Sequence, residues 1–217
     1  MSKGYHVYDN VYTTNELELE LKEISRKKWF GLPYGTFHHT RFNVTGATFG
    51  NNPQAQRDTI GRFDMCGITA DLIKGKFILD LGCNTGAMLT YAQQLGAGRT
   101  CGYDNDEKAI EFVTKLHKFL GFNSFFKCCD INKIESLSMK DSVLFCFAIS
   151  KWVEYDHLIK ILSESDAEII FFEDNKHFNQ IISDIIPGYD CEFTGFSGPE
   201  ANTPIGWKRV NYLCRKR

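Results

Sequence analysis

The chain has 217 residues, a length that suits one compact domain with a single large core. Hydrophobic residues make up 43% of the chain and charged residues 24%, and these shares exclude a disordered, collagen-like or coiled-coil protein. The formal net charge of −2 excludes a molecule whose whole surface is basic, as is typical of many proteins that bind nucleic acids or membranes.

The eight cysteines are scattered through segments that are predicted to be strands and helices. None forms a C-x-x-C pair, and the adjacent Cys128 and Cys129 have no second pair of ligands at zinc spacing, so we expect reduced thiols and no structural metal. The N-terminus lacks the apolar core of a signal peptide, and no apolar run is long enough to span a membrane. We therefore expect a cytoplasmic protein without a membrane partner.

The first 55 residues form an extension with its own character. Apolar residues at helical spacing predict an amphipathic helix over residues 15–28. Residues 29–52 interleave aromatic residues with glycines and fit no period, which indicates a structured loop. Its adjacent His38 and His39, together with Arg41, suit a lid over a substrate pocket. The alternative is that the loop only covers the core.

After a second predicted helix over residues 53–73, short apolar runs alternate with amphipathic helices. The runs do not alternate with polar residues, as expected for strands that are covered by helices on both faces. They predict five parallel strands, over residues 76–81, 100–104, 124–127, 142–147 and 167–172. Two further strands follow without a helix between them, at CEFTGFS and RVNYLC. The pattern predicts a doubly wound α/β fold with a mostly parallel sheet.

The first predicted strand runs directly into a glycine turn and then a helix, in the segment FILDLGCNTGAM. In a doubly wound sheet this turn lies at the carboxyl edge, where ligands bind. Gly82 and Gly86 allow the backbone to approach a ligand, and Asn84 tolerates a positive φ angle. The second strand ends in Asp104, a carboxylate that is suited to accept the two hydroxyls of a ribose. Close packing is the alternative reason for small residues in the turn.

Two further features narrow the range of ligands that the turn could bind. The third strand leads into Asp130, a carboxylate for an exocyclic amine, and Ile131, an apolar residue that can cover a base. The turn has the spacing G-x-x-x-G with Asp80 just before it, whereas nicotinamide enzymes carry G-x-G-x-x-G at a helix N-terminus that binds pyrophosphate. A pyrophosphate is therefore disfavoured, and the carboxylate of Asp80 favours a cationic ligand.

The successive motifs LDLGCNTG, GYDND, CCDIN and FCFAIS resemble those of class I S-adenosylmethionine-dependent methyltransferases. The resemblance covers residues 60–217, within a predicted domain of residues 56–217 that follows the extension of residues 1–55. It implies a seven-stranded Rossmann-like sheet with an antiparallel last strand. It also implies S-adenosylmethionine as the cofactor, held by Asp80, Gly82, Asn84, Gly86, Asp104, Asp130, Ile131 and Phe147. Asn84 stands where many members of the family have a third glycine, and the extension matches no motif of the family.

Candidate catalytic bases lie at the carboxyl edges of the fourth and fifth strands: Glu154, His157, Glu173 and Asp174. Glu154 and His157 are also consistent with an exposed helix start, and residues 174–175 with a helix N-cap. The Glu-Asp-Asn triplet after the fifth strand is similar to the magnesium-binding Asp-Asn of catechol O-methyltransferases. The region after the fourth strand lacks the further acid that such a site needs, so we expect no catalytic metal.

The sequence also narrows the acceptor by what it lacks. The Asn/Asp-Pro-Pro-aromatic signature of exocyclic-amine methylation is absent after the fourth strand, and no Pro-Cys pair offers the nucleophile of cytosine-C5 methylation. The basic residues at 208–209 and 215–217 are the obvious cluster for a phosphate backbone, but such a cluster is more often solvated. We therefore expect methyl transfer to a small-molecule or sugar-like acceptor.

Two alternatives to a small acceptor stay open. One is an RNA (tRNA-type) methyltransferase, since the order of a tryptophan, an aromatic loop, Arg57 and Arg62 before the glycine turn is faintly similar to that of tRNA wobble-uridine carboxymethyltransferases. The other is a cofactor-binding subunit without catalysis. The sequence predicts no oligomeric state.

Overall fold

The computed structural model describes residues 59–197 and 208–217 with their side chains, together with residues 16, 17, 19 and 20 in a helical segment near the N-terminus. It also describes the backbone of short strands in antiparallel pairs: Tyr5–Val7 with Asn10–Tyr12, Lys28–Trp29 with Leu32–Pro33, and Phe42–Val44 with Ala47–Phe49. The second and third pairs fall within or next to the region that is predicted to be a structured loop. The lid residues His38, His39 and Arg41 lie outside the described residues, as does most of the predicted helix over residues 15–28.

A seven-stranded sheet forms the centre of the protein. Its strands are β1 (Phe77–Leu81), β2 (Arg99–Asp104), β3 (Ser124–Cys128), β4 (Val143–Phe147), β5 (Ile169–Asp174), β6 (Tyr189–Ser197) and β7 (Arg209–Lys216). Their order across the sheet is 6-7-5-4-1-2-3; β1 to β5 pair in parallel, and β7 runs antiparallel to both β5 and β6. The predicted doubly wound sheet with an antiparallel last strand is confirmed.

The direction in which strands are added reverses between β1 and β4, which lie side by side. Strands β2 and β3 extend the sheet on one side of this pair, and β5, β7 and β6 extend it on the other. The helices that follow β1 and β4 cover opposite faces of the sheet, so a crevice opens between them at the carboxyl ends of the strands. This edge is where a ligand is expected to bind.

The flanking helices are α1 (Thr59–Met65), α2 (Ala70–Ile73), α3 (Ala87–Gln94), α4 (Glu107–Leu120) and α5 (Tyr155–Ser163), and a short 3-10 helix, Ile131–Lys133, follows β3. The second predicted helix, over residues 53–73, is broken between α1 and α2. Gly67 adopts a φ of +70°, and its N–H donates to the carbonyl of Asp64, which ends α1. None of the helices in the described ranges is long and apolar enough to cross a membrane.

Two apolar layers enclose the sheet. On one face, Phe145 and Phe171 pack with Phe63 of α1, and the ring centroids of Phe63 and Phe145 are 6.0 Å apart. On the other face, Phe172 packs in the same cluster as Leu158 of α5. Successive residues of β4 and β5 therefore bury their side chains in alternate layers. This explains why these strands read as unbroken apolar runs in the sequence.

Helix α4 joins the N-terminal extension to the domain. Its first turn is capped by Asp106, whose carboxylate accepts the N–H of Lys108 at 3.1 Å. Leu17 of the extension is fully buried against apolar residues of α4, and Glu20 forms an ion pair with Lys115 at 2.8 Å. Part of the extension is thus docked on the same face of the domain as α4.

Strands β6 and β7 are joined by a disulfide between Cys191 and Cys214. The two residues stand directly opposite each other in the antiparallel pair, so their side chains share one face of the sheet. The expectation that all cysteines are reduced is therefore wrong for this pair, because it depended on spacing along the chain and not on the register of two strands. The other six cysteines are free thiols.

The buried ring of His117 in α4 should make the stability of the protein depend on pH. Its nitrogen atoms lie 2.9 Å from the Thr90 hydroxyl and 2.7 Å from the Ser124 hydroxyl. Burial lowers the pKa of His117 from 6.5 to about 3, so the folded protein keeps the ring neutral while the unfolded chain takes up a proton below pH 6.5. The free energy of unfolding should therefore fall by about 2 kcal/mol between pH 8 and pH 5 through this one group.

Urea unfolding at a series of pH values measures this effect. In His117→Gln, the amide can still bond to the two hydroxyl groups but does not titrate, so the free energy of unfolding should fall less steeply on acidification than in the wild-type protein. The same pH dependence in both proteins would show that His117 does not contribute.

Candidate active site

The turn between β1 and α3 is shaped by three residues with positive φ angles: Gly82 (+80°), Asn84 (+48°) and Gly86 (+74°). A Cβ atom at Gly82 would lie 2.3 Å from the side chain of Ile149, which follows β4. A Cβ atom at Gly86 would lie 2.1 Å from the side chain of Val113 in α4. Both glycines are therefore required by the backbone conformation and by packing, and they keep the turn at the crevice between β1 and β4.

Asp104 stands at the end of β2, beside this turn. Its two carboxylate oxygens accept the N–H of Asn84 at 2.8 Å and the N–H of Asp106 at 2.9 Å. Burial raises the pKa of Asp104, and these two N–H donors oppose the rise. Each carboxylate oxygen has a second lone pair, so Asp104 can accept a pair of hydroxyl groups while it holds the turn in place.

Asp80 lies on β1, just before the turn, and only 2% of its surface is exposed. Its Oδ1 atom has no hydrogen-bond partner within the part of the chain that the structure describes. Burial raises the pKa of Asp80 well above its ordinary value, and the nearby Arg62 opposes this rise. A buried carboxyl oxygen without a donor is costly, so this atom marks a place where a cationic or hydrogen-bonding ligand group would be stabilised.

The ends of β3 and β4 complete this side of the crevice. Asp130 follows β3 and caps the 3-10 helix, in which Ile131 is buried. The N–H of Cys129 donates to the carbonyl of Asp104 at 2.8 Å, which ties the end of β3 to the end of β2. Phe147 ends β4 and is 7% exposed. The residues that are predicted to bind a cofactor therefore stand together, at or near the carboxyl ends of β1 to β4.

Residues 78–167 match a family model that is described as a methyltransferase domain. The match identifies a methyltransferase domain in this part of the chain. The matched range begins in β1, contains the glycine turn and the ends of β2, β3 and β4, and stops just before β5. The cofactor of such a domain is S-adenosylmethionine, as the resemblance of the motifs implies.

Solved methyltransferase structures of low sequence identity share the fold. The bifunctional kinase-methyltransferase WbdD is 19% identical with a TM-score of 0.61, over 76% of this chain and 42% of that chain. Magnesium protoporphyrin IX methyltransferase from Synechocystis PCC 6803, with S-adenosylmethionine bound, is 17% identical with a TM-score of 0.50, over 73% of this chain and 74% of that chain. Both similarities establish the architecture of the domain.

One further relative is an uncharacterized protein of Methanocaldococcus jannaschii. It is 36% identical over 58 residues, which make up 27% of this chain and 26% of that protein. The chain thus corresponds to less than half of WbdD and to a still smaller share of the M. jannaschii protein.

The residues at this edge of the methyltransferase domain fit S-adenosylmethionine. The Oδ1 of Asp80, which has no partner among the described residues, suits the cationic methionine end of the cofactor, and Asp104 suits its ribose hydroxyls. Asp130 and Ile131, on the next strand, suit the adenine amine and ring. These individual roles stay predictions, and the geometry brings their side chains to the edge at which the roles require them.

A second polar cluster of the methyltransferase domain lies beyond Phe147, at the ends of β5, β6 and β7. Glu173 of β5 is 1% exposed and forms ion pairs with Arg62 of α1 and with Arg209 of β7, the latter at 3.4 Å. The hydroxyl of Ser197, at the end of β6, donates to the same carboxylate. The guanidinium of Arg62 lies 5.0 Å from the centre of the Phe147 ring. Four separate elements therefore supply one buried ionic cluster.

Neither arginine of this cluster stands in a motif. Arg209 belongs to the basic residues for which solvation is the simplest expectation, yet its side chain is only 13% exposed, so that expectation is wrong for this residue. Arg62 falls within a predicted helix, four positions before Cys66 and thus on the same helix face as this buried thiol. A charged residue on an apolar face is the signal in the sequence that could have identified it.

Three of the four predicted bases, Glu154, His157 and Glu173, do not meet at one point. Glu173 faces the layer that contains α1, whereas Glu154 and His157 stand at the start of α5, which covers the opposite face of the sheet. Glu154 is exposed, and His157 has a buried Nε2 without a hydrogen-bond partner in the described ranges. The catalytic role of each stays a prediction. Among the residues that the structure describes, no group of three His, Cys, Asp or Glu side chains could hold a metal.

A histidine that the sequence does not single out stands close to the end of β5. The fully buried Asp174 has its Oδ2 atom 2.9 Å from Nδ1 of His177, and Ser150 donates to its Oδ1 atom at 2.6 Å. The ring of His177 meets that of Tyr155 edge to face, with centroids 4.8 Å apart. The side chain of His177 is 29% exposed. A buried carboxylate that orients a partly exposed imidazole is an arrangement typical of a general base.

Asp104→Ala should weaken the binding of S-adenosylmethionine roughly 10- to 150-fold, because a hydrogen bond to a charged group contributes about 1.5–3 kcal/mol. Asp106→Asn is the matched control, because it removes a charge two residues away but keeps an oxygen atom that can cap α4. Its affinity should stay within a few-fold of wild type. Calorimetry measures both. Binding of NAD in place of S-adenosylmethionine, or an equal loss in the two variants, would refute the assignment of Asp104.

Proposed function

We propose that the protein transfers a methyl group from S-adenosylmethionine to a small-molecule or sugar-like acceptor in the cytoplasm. The observation that carries the proposal is the row of acidic residues Asp80, Asp104 and Asp130 along the ends of β1 to β3, next to a separate polar cluster on β5 and β7. The first group suits a nucleoside cofactor with a cationic end. The second lies across β4 from it, on the side where an acceptor would approach.

The chemistry requires alignment more than it requires reactive side chains. S-adenosylmethionine supplies an electrophilic methyl group on a sulfonium. Because methyl transfer is an in-line displacement, the protein contributes mainly by holding the donor and the acceptor in line and by excluding water. Ile149, packed on Gly82, keeps the turn rigid, and Phe147 with the guanidinium of Arg62 on its face forms the boundary between the two halves of the crevice.

His177 is well placed to accept a proton from an acceptor that loses one. Asp174 engages Nδ1 of the ring, which holds the proton on that nitrogen and leaves Nε2 as the base. The same carboxylate stabilises the imidazolium that forms. Glu173, in contrast, is engaged by two guanidinium groups, and Glu154 is exposed at a helix start.

The cations at the end of β7 support a small acceptor over RNA. Arg217 pairs with Asp190 at 2.7 Å and with Asp184 at 2.6 Å, and Lys216 pairs with Asp166 at 3.0 Å. Since β7 is antiparallel to β5, these pairs lie at the edge of the sheet opposite the crevice. RNA binding needs several clustered cations that are free to contact phosphates. The acceptor of one structural neighbour, magnesium protoporphyrin IX, is also a small molecule.

Incubation with methyl-labelled S-adenosylmethionine and a cell extract tests this function. The extract is divided into RNA, protein and small-metabolite fractions, each with and without nuclease. We expect label in the small-metabolite fraction that nuclease does not remove. Nuclease-sensitive label in the RNA fraction would establish the RNA alternative. No transfer to any fraction, in spite of tight cofactor binding, would favour a subunit without catalysis.

His177→Gln should lower the rate of label transfer about 100-fold or more, because it removes the general base, and should leave cofactor affinity within a few-fold of wild type. His157→Gln, at the histidine that the sequence predicts, is the comparison. A large loss in His157→Gln with none in His177→Gln would assign the base to α5 instead.

A further inference from the structure

Arg62 and Arg209 bring two guanidinium groups into the interior of the protein. Their side chains are 6% and 13% exposed, and both donate to the carboxylate of Glu173. The removal of two such charges from water is costly unless opposite charges and hydrogen-bond acceptors compensate it. A buried pair of this kind therefore requires a physical reason.

The charges of the described cluster balance only if Asp80 is ionised. Two guanidinium groups share the carboxylate of Glu173, and the other acid that interacts with Arg62 is Asp80. Burial raises the pKa of Asp80 well above its ordinary value, which disfavours its charged form. Burial also lowers the pKa of Arg209, and repulsion from Arg62 adds to this against the attraction of Glu173. The repulsion between the two guanidinium groups is an electrostatic cost that a bound anion would relieve.

The cluster also has unused hydrogen-bond donors. The Nε atoms of Arg62 and Arg209 are buried, and neither has a hydrogen-bond partner in the portion of the chain that the structure describes. Buried donors in folded proteins are nearly always paired. A guanidinium edge presents parallel N–H groups that match the oxygen atoms of a carboxylate or a phosphate. Two guanidinium groups with free Nε donors thus fit a ligand group with several oxygen atoms.

The position of the cluster assigns this ligand group to the half of the crevice at β5 and β7, which we call the acceptor half. Arg209 belongs to β7, which is separated from β1 by β5 and β4. Neighbouring strands lie about 4.8 Å apart, so β7 is about 14 Å from β1. The carboxylates for the ribose and the adenine lie on the other side of β1, at the ends of β2 and β3. An anion held by Arg209 would therefore lie well away from the nucleoside.

We propose that Arg62 and Arg209 form a binding site for an oxyanion, a carboxylate or a phosphate group, that the acceptor carries. This inference rests on the proposed methyl transfer and adds the chemical class of the acceptor. Glu173 and Ser197 hold the guanidinium groups in place, and the bound anion supplies the missing negative charge. The bound anion also offsets the repulsion between these arginines and the sulfonium of the donor. In this arrangement the reacting atom of the acceptor faces β4.

Inorganic phosphate and acetate, as separate probes, test the site in the full chain. The protein is first saturated with S-adenosylhomocysteine, so that the carboxylate of the cofactor is already bound, and calorimetry is run at constant ionic strength against sodium chloride. One of the two oxyanions should bind to wild type, and Arg209→Gln should weaken that binding about 10-fold or more. Lys208→Gln is the matched control: it removes the same charge from the exposed neighbouring residue and should bind like wild type.

The outcomes separate the alternatives. Stronger binding of phosphate than of acetate would assign a phosphorylated acceptor, and the reverse would assign a carboxylate. Equal oxyanion binding by wild type and Arg209→Gln would overturn the inference. So would a loss of S-adenosylhomocysteine affinity in Arg209→Gln as large as the loss of oxyanion affinity, because the guanidinium would then serve the cofactor. Arg209→Lys keeps the charge but not the planar guanidinium group, and it is used if the glutamine variant does not fold. An oxyanion affinity of Arg209→Lys equal to that of wild type would likewise overturn the inference.

Label transfer distinguishes this inference from the proposed function. Phosphate or acetate that fills the site should inhibit methyl transfer in competition with the acceptor and not with S-adenosylmethionine. Transfer that proceeds unchanged with the site filled would overturn the inference and leave the proposed methyl transfer standing. A complete lack of transfer, with oxyanion binding that depends on Arg209, would instead refute the proposed function.

Discussion

The arrangement of the site depends on one turn that has no room for side chains. Ile149 and Val113, from the segment after β4 and from α4, occupy the space that Cβ atoms would need at Gly82 and Gly86. The N–H of Gly82 donates to the carbonyl of Tyr103 in β2 at 2.8 Å, which draws a further strand to the same point. The elements pack closely because Gly82 and Gly86 have no side chains. Their backbone is also what a ligand can approach. Packing and binding are thus two consequences of the same residues.

The carboxyl edge of the sheet has two halves of opposite chemical character. Carboxylates stand at or near the ends of β1, β2 and β3, whereas buried guanidinium groups from α1 and β7 stand around the end of β5. Phe147 at the end of β4 separates them: β4 pairs with β1, which carries Asp80, and the guanidinium of Arg62 lies across the face of the Phe147 ring. A cationic cofactor and an anionic acceptor would each meet a complementary charge, and the two would attract each other across β4.

The sheet could be predicted from the sequence because its physical signal is local. Strands that are buried on both faces read as apolar runs, and the bounds of β1 to β5 in the structure differ from the predicted bounds by at most two residues. The position of the predicted cofactor residues at the carboxyl edge could be predicted because each lies at or just after a strand end; their binding of the cofactor stays a prediction. The helix over residues 53–73 failed as a single element because Gly67, in the left-handed region, breaks it.

The acceptor half could not be predicted, because it depends on pairings between distant parts of the chain. Arg209 reaches Glu173 only because β7 pairs with β5, and Cys191 reaches Cys214 only because β6 pairs with β7 in one particular register. No spacing along the sequence encodes these contacts. His177 was missed for a different reason, because it belongs to an irregular segment after β5 that carries no periodic pattern.

Strand β7 lies between β5 and β6, although it follows both of them in the chain. While the chain is being synthesised, β5 is therefore complete before its outer edge has a partner, and β6 has no strand in the sheet to join. Both pairings therefore require β7, and together they bring Arg209 and Ser197 to Glu173. The residues that are predicted to bind the cofactor, on β1 to β4, do not depend on the pairing of β7. In the order of assembly, the carboxylates on β1 to β3 therefore come first, and the guanidinium cluster around Glu173 comes last.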